Sequence, residues 1–399
     1  MKIFFRRIHL YLGLAAGLVI LICCLTGAIL VFEKDLQMML NKKRYFVEAG
    51  TNKLPIEALV KQVKDSFPNA KINAVKVYED ATRSVEVNAS VSAKKSEQKE
   101  ASKAETPKQG SAEKKSGAVP RQPGFTFFVN PYTGEVLEKY SYRETWFYIV
   151  FALHRWLLGG EGSIGKYIVG ISTLMFLFIL ITGIILWWPK TNKILKQRLK
   201  IKWNAGWKRI NHDLHLVFGF YSAIFLFIFA FTGLAWSFEW FNNGIYKVTN
   251  SPVKAPLPPK SVYDSSAKKI SFDQALAMAK TVYTDVQFYN ISMPKDSIEA
   301  VSISALSKDP VHESATDAVY LDQYTGAVLK TMKYSERSLG ARVRSTFKPV
   351  HTGSIWGTPS KIIAFIVCLL GVTFPITGMI MWLNRTKRMR QNRSEEYLD

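Results

Sequence analysis

The chain has 399 residues, of which 48% are hydrophobic, and it carries a formal net charge of +22 at pH 7. Such a charge can indicate nucleic-acid binding, but the lysines and arginines crowd beside apolar runs, where membrane topology explains them, so no nucleic-acid partner is expected. All three cysteines fall inside apolar runs, which excludes a disulfide framework in the parts outside them.

Four apolar runs without a charged residue are each long enough to span a bilayer, at 10–32, 167–188, 214–238 and 362–383. The first is too long for a signal peptide and lacks a cleavage-like site, so we interpret it as an anchor. Basic residues concentrate before the first run, between the second and third, and after the fourth. The positive-inside rule therefore predicts a multi-pass protein with both termini in the cytoplasm.

The first and third runs are copies of one pattern. The same residue types recur at a constant offset of 206 positions: His9 and His215, Gly13 and Gly219, Thr26 and Thr232, and Gly27 and Gly233. On a helix, each histidine and the glycine four residues later lie on nearly the same face. Glycine permits close approach of a helix or a flat ligand. Helix packing explains the glycines but not a histidine at both entrances, so we predict a duplicated helix with a functional histidine.

The segments that follow these runs are also copies of each other. In the first, helical spacing at 54–67 precedes strand-like alternation at 71–90, a strand at 125–130 and a Pro-Tyr-Thr-Gly turn. The second has a helix at 271–282 and strands at 286–304, and its DQYTGAVL matches NPYTGEVL of the first. Residues 92–123 are rich in Lys, Glu and Ser and are predicted to be a disordered insertion. Two parallel halves favour a pseudo-two-fold axis along the membrane normal.

We therefore predict an α-helical membrane protein with a four-helix transmembrane bundle, built from two tandem helix–external domain–helix repeats with two α+β external domains. The predicted units are the cytoplasmic N-terminus and first span (1–33), the first external domain (34–142, with the insertion 92–123), a pre-helix and second span (143–188), a basic cytoplasmic loop (189–210), the third span (211–240), the second external domain (241–344), a pre-helix and fourth span (345–384) and a cytoplasmic tail (385–399).

The duplicated helix pairs, the Tyr-Thr-Gly turns, the HDLH and HTG motifs and a Thr-Gly-x-x-x-Trp pattern together resemble the PepSY-associated transmembrane family. That family comprises iron-regulated membrane proteins and includes ferrisiderophore reductases of the bacterial inner membrane. The resemblance covers the chain except 92–123 and the C-terminal tail. It implies an inner-membrane protein with PepSY-like periplasmic domains, in each of which a helix packs on an antiparallel sheet.

Five of the six histidines lie at helix entrances, and the repeat matches His9 with His215 and His154 with His351. A two-fold axis along the membrane normal brings each pair to one depth, where the two imidazoles face each other. A haem b with two axial histidines needs imidazoles on opposite faces of the macrocycle. We predict two such haems, one near each membrane face. The candidate cofactor-binding residues are the iron ligands His9, His215, His154 and His351, together with His212, Gly13, Gly219, Arg6 and Arg155.

The resemblance to di-haem ferrisiderophore reductases implies that an external ferrisiderophore, or another Fe(III) chelate, is reduced to release Fe(II). The catalytic residues would then be the haem ligands themselves. No P-loop, dinucleotide fingerprint or HExxH motif occurs in the chain. The electron donor is therefore expected to be a separate cytoplasmic or membrane component.

Several alternatives stay open at this point. Interfacial histidines can snorkel or cap helices, and the same histidines could bind zinc or copper, although no carboxylate or thiol cluster accompanies them. The protein could be a PepSY-type binding or regulatory protein, or an iron-complex transporter, although the spans lack interior charges and breaks apart from Pro375.

Three further expectations concern residues outside this scheme. His312 is expected to be solvated in a polar loop, and Glu33 and Glu239 to be solvated at the membrane interface. An interfacial belt is expected of the tryptophans at helix ends, which are Trp187, Trp188, Trp236, Trp240 and Trp382.

Overall fold

The computed structural model describes residues 1–91 and 124–396, with side chains described as far as residue 387. The predicted insertion at 92–123 lies outside the described residues. The helices are α1 (Lys2–Val31), α2 (Glu33–Leu40), α3 (Lys42–Tyr45), α4 (Ile56–Ser66), α5 (Trp146–Trp156), α6 (Ile164–Trp187), α7 (Asn192–Arg198), α8 (Trp207–Ser237), α9 (Glu239–Val248), α10 (Phe272–Val282), α11 (Leu339–His351) and α12 (Thr358–Glu396).

Four of these helices, α1, α6, α8 and α12, are long and apolar enough to cross a membrane. The shortest has 24 residues, which at about 1.5 Å per residue covers a hydrocarbon core of about 30 Å. The four predicted spans and the multi-pass helical class are confirmed.

The four spans form a ring in which α1 and α8 each pack against both α6 and α12. The helices α1 and α8 therefore stand at opposite corners. Small residues let α1 approach α12 closely: a Cβ built on Gly17 lies 3.5 Å from the Pro375 Cβ, and one on Gly371 lies 2.7 Å from the Cys24 Sγ. The helices α1 and α8 run toward the strands while α6 and α12 run away from them, so the start of α1 and the end of α12 lie at the bundle end opposite the strands.

The strands form one antiparallel sheet rather than two. They are β1 (Ala70–Tyr78), β2 (Val85–Val91), β3 (Gly124–Val129), β4 (Val136–Tyr140), β5 (Val286–Ser292), β6 (Val301–Ser307), β7 (Thr316–Leu321) and β8 (Val328–Met332), in the order β4-β3-β2-β1-β5-β6-β7-β8. The halves join where β1 pairs with β5, with Val75 opposite Ile291. The two external segments predicted from the sequence thus share a continuous sheet and one apolar core, which includes Leu59 and Ala275.

The helices α4 and α10 cap each other's N-termini across the boundary between the halves. Both oxygens of Asp273 accept main-chain hydrogen bonds, from Ile56 at 2.7 Å and Glu57 at 3.1 Å. In return, Glu57 accepts from the main-chain N–H of Phe272 at 2.8 Å. Each carboxylate thereby satisfies helix N–H groups that have no partner within their own helix. This exchange ties the first half to the second on the sheet side of the molecule.

The expectation for His312 is wrong, because its residue surface is only 4% exposed. Its Nδ1 accepts from the main-chain N–H of Ser314 at 3.2 Å, and its Nε2 lies 2.9 Å from the Tyr334 hydroxyl. Burial lowers the pKa of His312. Neutral His312 therefore donates from Nε2 to Tyr334 and stabilises the fold.

The tryptophan belt is wrong for Trp187, which is 3% exposed and stacks on Phe220 with ring centroids 3.8 Å apart. Trp188 and Trp240 are exposed, as a belt requires.

Glu239 is exposed, whereas Glu33 is half-buried and accepts hydrogen bonds from other side chains.

Candidate functional site

The first histidine pair lies toward the chain termini and is called the termini-side pair. It consists of His9 on α1 and His215 on α8, whose ring centroids are 6.3 Å apart with an interplanar angle of 81°. One turn along each helix lie Gly13 and Gly219, and a Cβ added at either meets no atom within 4 Å. The described residues therefore leave the space beside both glycines unfilled.

The second pair lies toward the strands and is called the sheet-side pair. It consists of His154 in the last turn of α5 and His351 at the end of α11, with ring centroids 6.1 Å apart and an interplanar angle of 67°. After α5 the chain turns through Leu157 and Leu158, whose φ angles of 51° and 71° are left-handed. That conformation is costly for leucine, so the sharp turn that follows His154 is a strained feature beside the site.

Each of the four imidazoles has its Nδ1 against a threonine hydroxyl of a neighbouring helix. The Nδ1–Oγ1 distances are 3.1 Å for His9 and Thr182, 3.0 Å for His154 and Thr26, 2.7 Å for His215 and Thr377, and 3.2 Å for His351 and Thr232. Two imidazoles have a carbonyl acceptor as well. The Ile179 oxygen lies 3.1 Å from the Nδ1 of His9, and the Phe229 oxygen lies 2.9 Å from that of His351.

These threonines determine which ring nitrogen is free. Each hydroxyl donates to the main-chain carbonyl four residues earlier, at 2.6 to 2.8 Å. Its only proton is thereby used, so the oxygen accepts from the imidazole and Nδ1 carries the proton of the neutral ring. The Nε2 of each histidine keeps its lone pair. Metal-binding histidines are commonly oriented in this way, by an acceptor that holds the other ring N–H.

A glycine follows each of the four threonines and provides space for the same imidazole. A Cβ built at Gly183 would lie 3.3 Å from the His9 Cε1, and those at Gly27, Gly233 and Gly378 would lie 3.4, 3.2 and 3.6 Å from the Cε1 of His154, His351 and His215. The Thr-Gly pair is therefore a seat for an imidazole from another helix. From the sequence, Gly27 and Gly233 were predicted only as positions of close approach, and no role was predicted for the threonines.

The spacing of both pairs suits one metal between two imidazoles. A metal–nitrogen distance of about 2.0–2.1 Å, with each ring centre about 1.1 Å behind its nitrogen, places the ring centres about 6 Å apart. The observed separations are 6.3 and 6.1 Å. The donor set of two neutral imidazoles is the one that a bis-histidine haem uses. The residues present therefore fit such a group.

The other predicted site residues lie at different distances from the pairs. Arg6 is exposed and precedes His9 by three positions. Arg155 is half-buried, and its guanidinium donates to the Trp236 carbonyl at 3.5 Å. The His212 side chain is 49% exposed and belongs to neither pair; its Nδ1 lies 3.4 Å from Asp213.

Two residues beside the sheet-side pair, Trp236 and Arg344, were not predicted to belong to the site. The Trp236 ring lies 5.4 Å from that of His351, and the guanidinium of Arg344 lies 4.9 Å from the centroid of the Trp236 ring. Arg344 also donates to the Asn242 side chain at 2.6 Å. A sequence signal was available for Arg344, since it falls two turns before His351 and lies near the same face of α11.

Within the described residues, no group of three or more His, Cys, Asp or Glu side chains could hold a metal ion. The four histidines of the site form two separate pairs. A four-ligand zinc or copper site of the usual kind would need further donors at each pair.

Four apolar spans from two copies of one unit, with a pair of neighbouring imidazoles toward each end of the bundle, define a duplicated multi-pass helical membrane protein. The chain belongs to the family described as the PepSY-associated TM region, whose family model matches residues 6–385. This match confirms the resemblance stated from the motifs. A search of curated proteins finds no match.

Proposed function

We propose that this protein carries electrons across the bacterial inner membrane through two bis-histidine haem b groups and reduces an external Fe(III) complex of the ferrisiderophore class. The observation that carries the proposal is that the four imidazoles form two pairs. Each Nδ1 is held by a threonine, and no Nε2 has a hydrogen-bond partner among the described residues. Family membership supports it, and so does the positive-inside rule, by which the sheet is expected on the periplasmic side of the membrane.

In this proposal His9 and His215 hold one haem, and His154 and His351 hold the other. Haem, when bound, supplies a one-electron Fe(III)/Fe(II) couple. The chain's contribution is orientation and exclusion of water. Thr-Gly seats fix each imidazole, and the bundle surrounds both pairs with apolar helices. Arg6 and Arg155 are the proposed partners for the carboxylates of the cofactors.

The acceptor is proposed to dock between the sheet and the sheet-side pair. Ion pairs connect these two regions: Lys34 at the start of α2 pairs with Glu313 at 2.7 Å, and Lys361 on α12 pairs with Asp35 at 2.6 Å. Glu313 also accepts from Ser354, three residues after His351. The external Fe(III) gains one electron and becomes Fe(II), which its chelator holds less tightly. The electron comes from a separate donor on the cytoplasmic side.

The test is the absorption spectrum of protein purified in detergent after haem-replete expression. We expect a Soret band, α and β bands that sharpen on reduction, and two haems per chain. His9→Ala and His351→Ala should each leave one haem. Protein without a Soret band would refute the proposal, and would leave the family's binding or regulatory role or transport of the iron complex. In proteoliposomes loaded with a reductant, external Fe(III)-chelate reduction should require both pairs.

A further inference from the structure

The two histidine pairs are alike in the features that usually distinguish haem sites. Both use two imidazoles, and both present one imidazole held by a threonine alone and one held by a threonine and a carbonyl. Axial ligand and hydrogen bonding to the ligand are two of the main determinants of haem potential. Because the axial ligands and their hydrogen bonds match, a difference in redox potential between the two sites must come mainly from other determinants. Nearby charge is one of them.

The sheet-side pair has two half-buried guanidinium groups beside it. Arg155 follows His154 directly in the chain, and its charge acts on both His154 and His351. Arg344 lies over the Trp236 ring, which in turn contacts His351. Among the described residues, neither arginine has a carboxylate within ion-pair distance (4.0 Å). The carboxylate of Glu161 acts on the charge of Arg155, but Glu161 is exposed and lies beyond ion-pair distance, so solvent screens it.

Two carboxylates also lie on this side, and neither cancels the arginines. Glu313 is paired with Lys34 at 2.7 Å. Glu33 is half-buried and accepts hydrogen bonds from the Tyr142 and Gln37 side chains, so it contributes at most one negative charge on this side. With Glu33 counted as one negative charge against the two arginines, the half-buried groups beside the sheet-side pair keep a net positive charge.

Close to the termini-side pair in the chain, the described residues hold a buried carboxylate with an ion-pair partner, and not a half-buried arginine without one. Asp213, two residues before His215, is 3% exposed, and its partner Arg209 lies at the surface, 2.8 Å from it. The cations Arg6, Arg7 and Lys208 on this side are exposed, and the half-buried Arg198 donates hydrogen bonds to the main-chain carbonyls of Leu186 and Trp187. Charges in water act weakly over distance because solvent and salt screen them, whereas a half-buried charge is screened much less.

We infer that the sheet-side pair is the higher-potential of the two redox sites and that Arg155 and Arg344 determine this order. The inference rests on the proposed function. A positive charge held in a low dielectric stabilises the reduced, less positive state of a nearby iron. One electron then passes from the reduced termini-side site to the oxidised sheet-side site, and no bond forms or breaks. A separate one-electron donor supplies the electron and the external Fe(III) chelate removes it.

The experiment is a spectroelectrochemical titration of the intact, haem-loaded protein. The wild type should show two one-electron components, and His9→Ala, which keeps only the sheet-side pair, should retain the higher one. Arg155→Gln and Arg344→Gln should each lower that component and leave the other unchanged. Together they should reduce the equilibrium constant for electron transfer between the sites at least tenfold, which corresponds to about 59 mV for one electron.

Matched variants separate charge from structure. Arg143→Gln removes an exposed external arginine and should leave both potentials unchanged. Arg344→Lys keeps the charge and should keep the wild-type order. The inference is overturned if His9→Ala retains the lower component, if both Gln variants leave the higher component in place, or if Arg344→Lys lowers it as much as Gln does. Wild-type protein without haem defeats the proposed function as well, whereas the other outcomes defeat this inference alone.

Discussion

Replacing Thr377 by valine tests whether threonine holds the imidazole. The Nδ1 of His215 lies 2.7 Å from the Thr377 hydroxyl, which is its one acceptor among the described residues. Valine has nearly the same shape and removes the oxygen, so Nδ1–H is left without a partner inside the bundle. An unsatisfied buried donor costs about 1–3 kcal/mol, and 1.4 kcal/mol is about tenfold in an equilibrium constant. We therefore expect Thr377→Val to weaken haem binding at the termini-side pair by about 5- to 150-fold.

The same pair supplies an internal comparison. The Nδ1 of His9 has the Ile179 carbonyl at 3.1 Å in addition to Thr182, so Thr182→Val leaves one acceptor in place. Its effect should be several-fold smaller than that of Thr377→Val. Thr173→Val is the control, because the Thr173 hydroxyl bonds only to the Val169 carbonyl of its own helix.

The assay is a titration of apo-protein with haemin, followed at the Soret band, with His154→Ala in the background so that only the termini-side pair binds. Thr377→Ser keeps the hydroxyl and should restore most of the affinity. Equal affinity losses in Thr377→Val and Thr182→Val would contradict the reasoning. An affinity for Thr377→Val equal to that of the Thr173→Val control would contradict it as well.

Three further outcomes are expected. His212→Ala should keep two haems per chain, because His212 lies outside both pairs; loss of a haem by pyridine haemochrome assay would place it among the ligands. Asp273→Ala should destabilise the sheet side by about 1 kcal/mol through the lost cap of α4, seen as faster amide exchange at Ile56, with exposed Glu135→Ala as control. Burial opposes ionisation of Asp322, but hydrogen bonds from Thr325, Tyr324 and Val262 outweigh it and hold the pKa of Asp322 below 3.8. Asp322→Asn should therefore lower the free energy of unfolding at pH 7, and this difference should shrink as pH falls through that lowered pKa.

The spans and the partners within each histidine pair could be predicted because both follow from the chain itself. Apolar length predicts a span, and a constant offset of 206 matches His9 with His215 before any helix is placed. The strands at 71–90 were predicted from their alternation and appear as β1 and β2. Local periodicity predicts strands but does not predict which strands pair with each other. The pairing of β1 with β5, which joins the halves in one sheet, was therefore not predicted.

The role of the threonines could not be predicted for a related reason. Thr182 lies 173 positions from His9, near the opposite end of the first half, and the two meet only because α6 packs beside α1. A Thr-Gly pair in an apolar helix is also a common packing element. Without knowledge of which helices are neighbours, the pattern does not separate packing from a hydrogen bond to an imidazole. Its occurrence in all four spans was the available signal.

The duplication determines which half of the chain supplies each histidine and each threonine. Every imidazole is seated by a threonine of its own half: His9 and His154 by threonines of the first half, and His215 and His351 by those of the second. Every pair, however, takes one imidazole from each half. Each half thus orients its own imidazoles, and the two pairs exist only while the halves are docked. The β1–β5 pairing and the reciprocal caps of α4 and α10 fix that docking at the sheet, so the geometry of both pairs depends on contacts made outside the bundle.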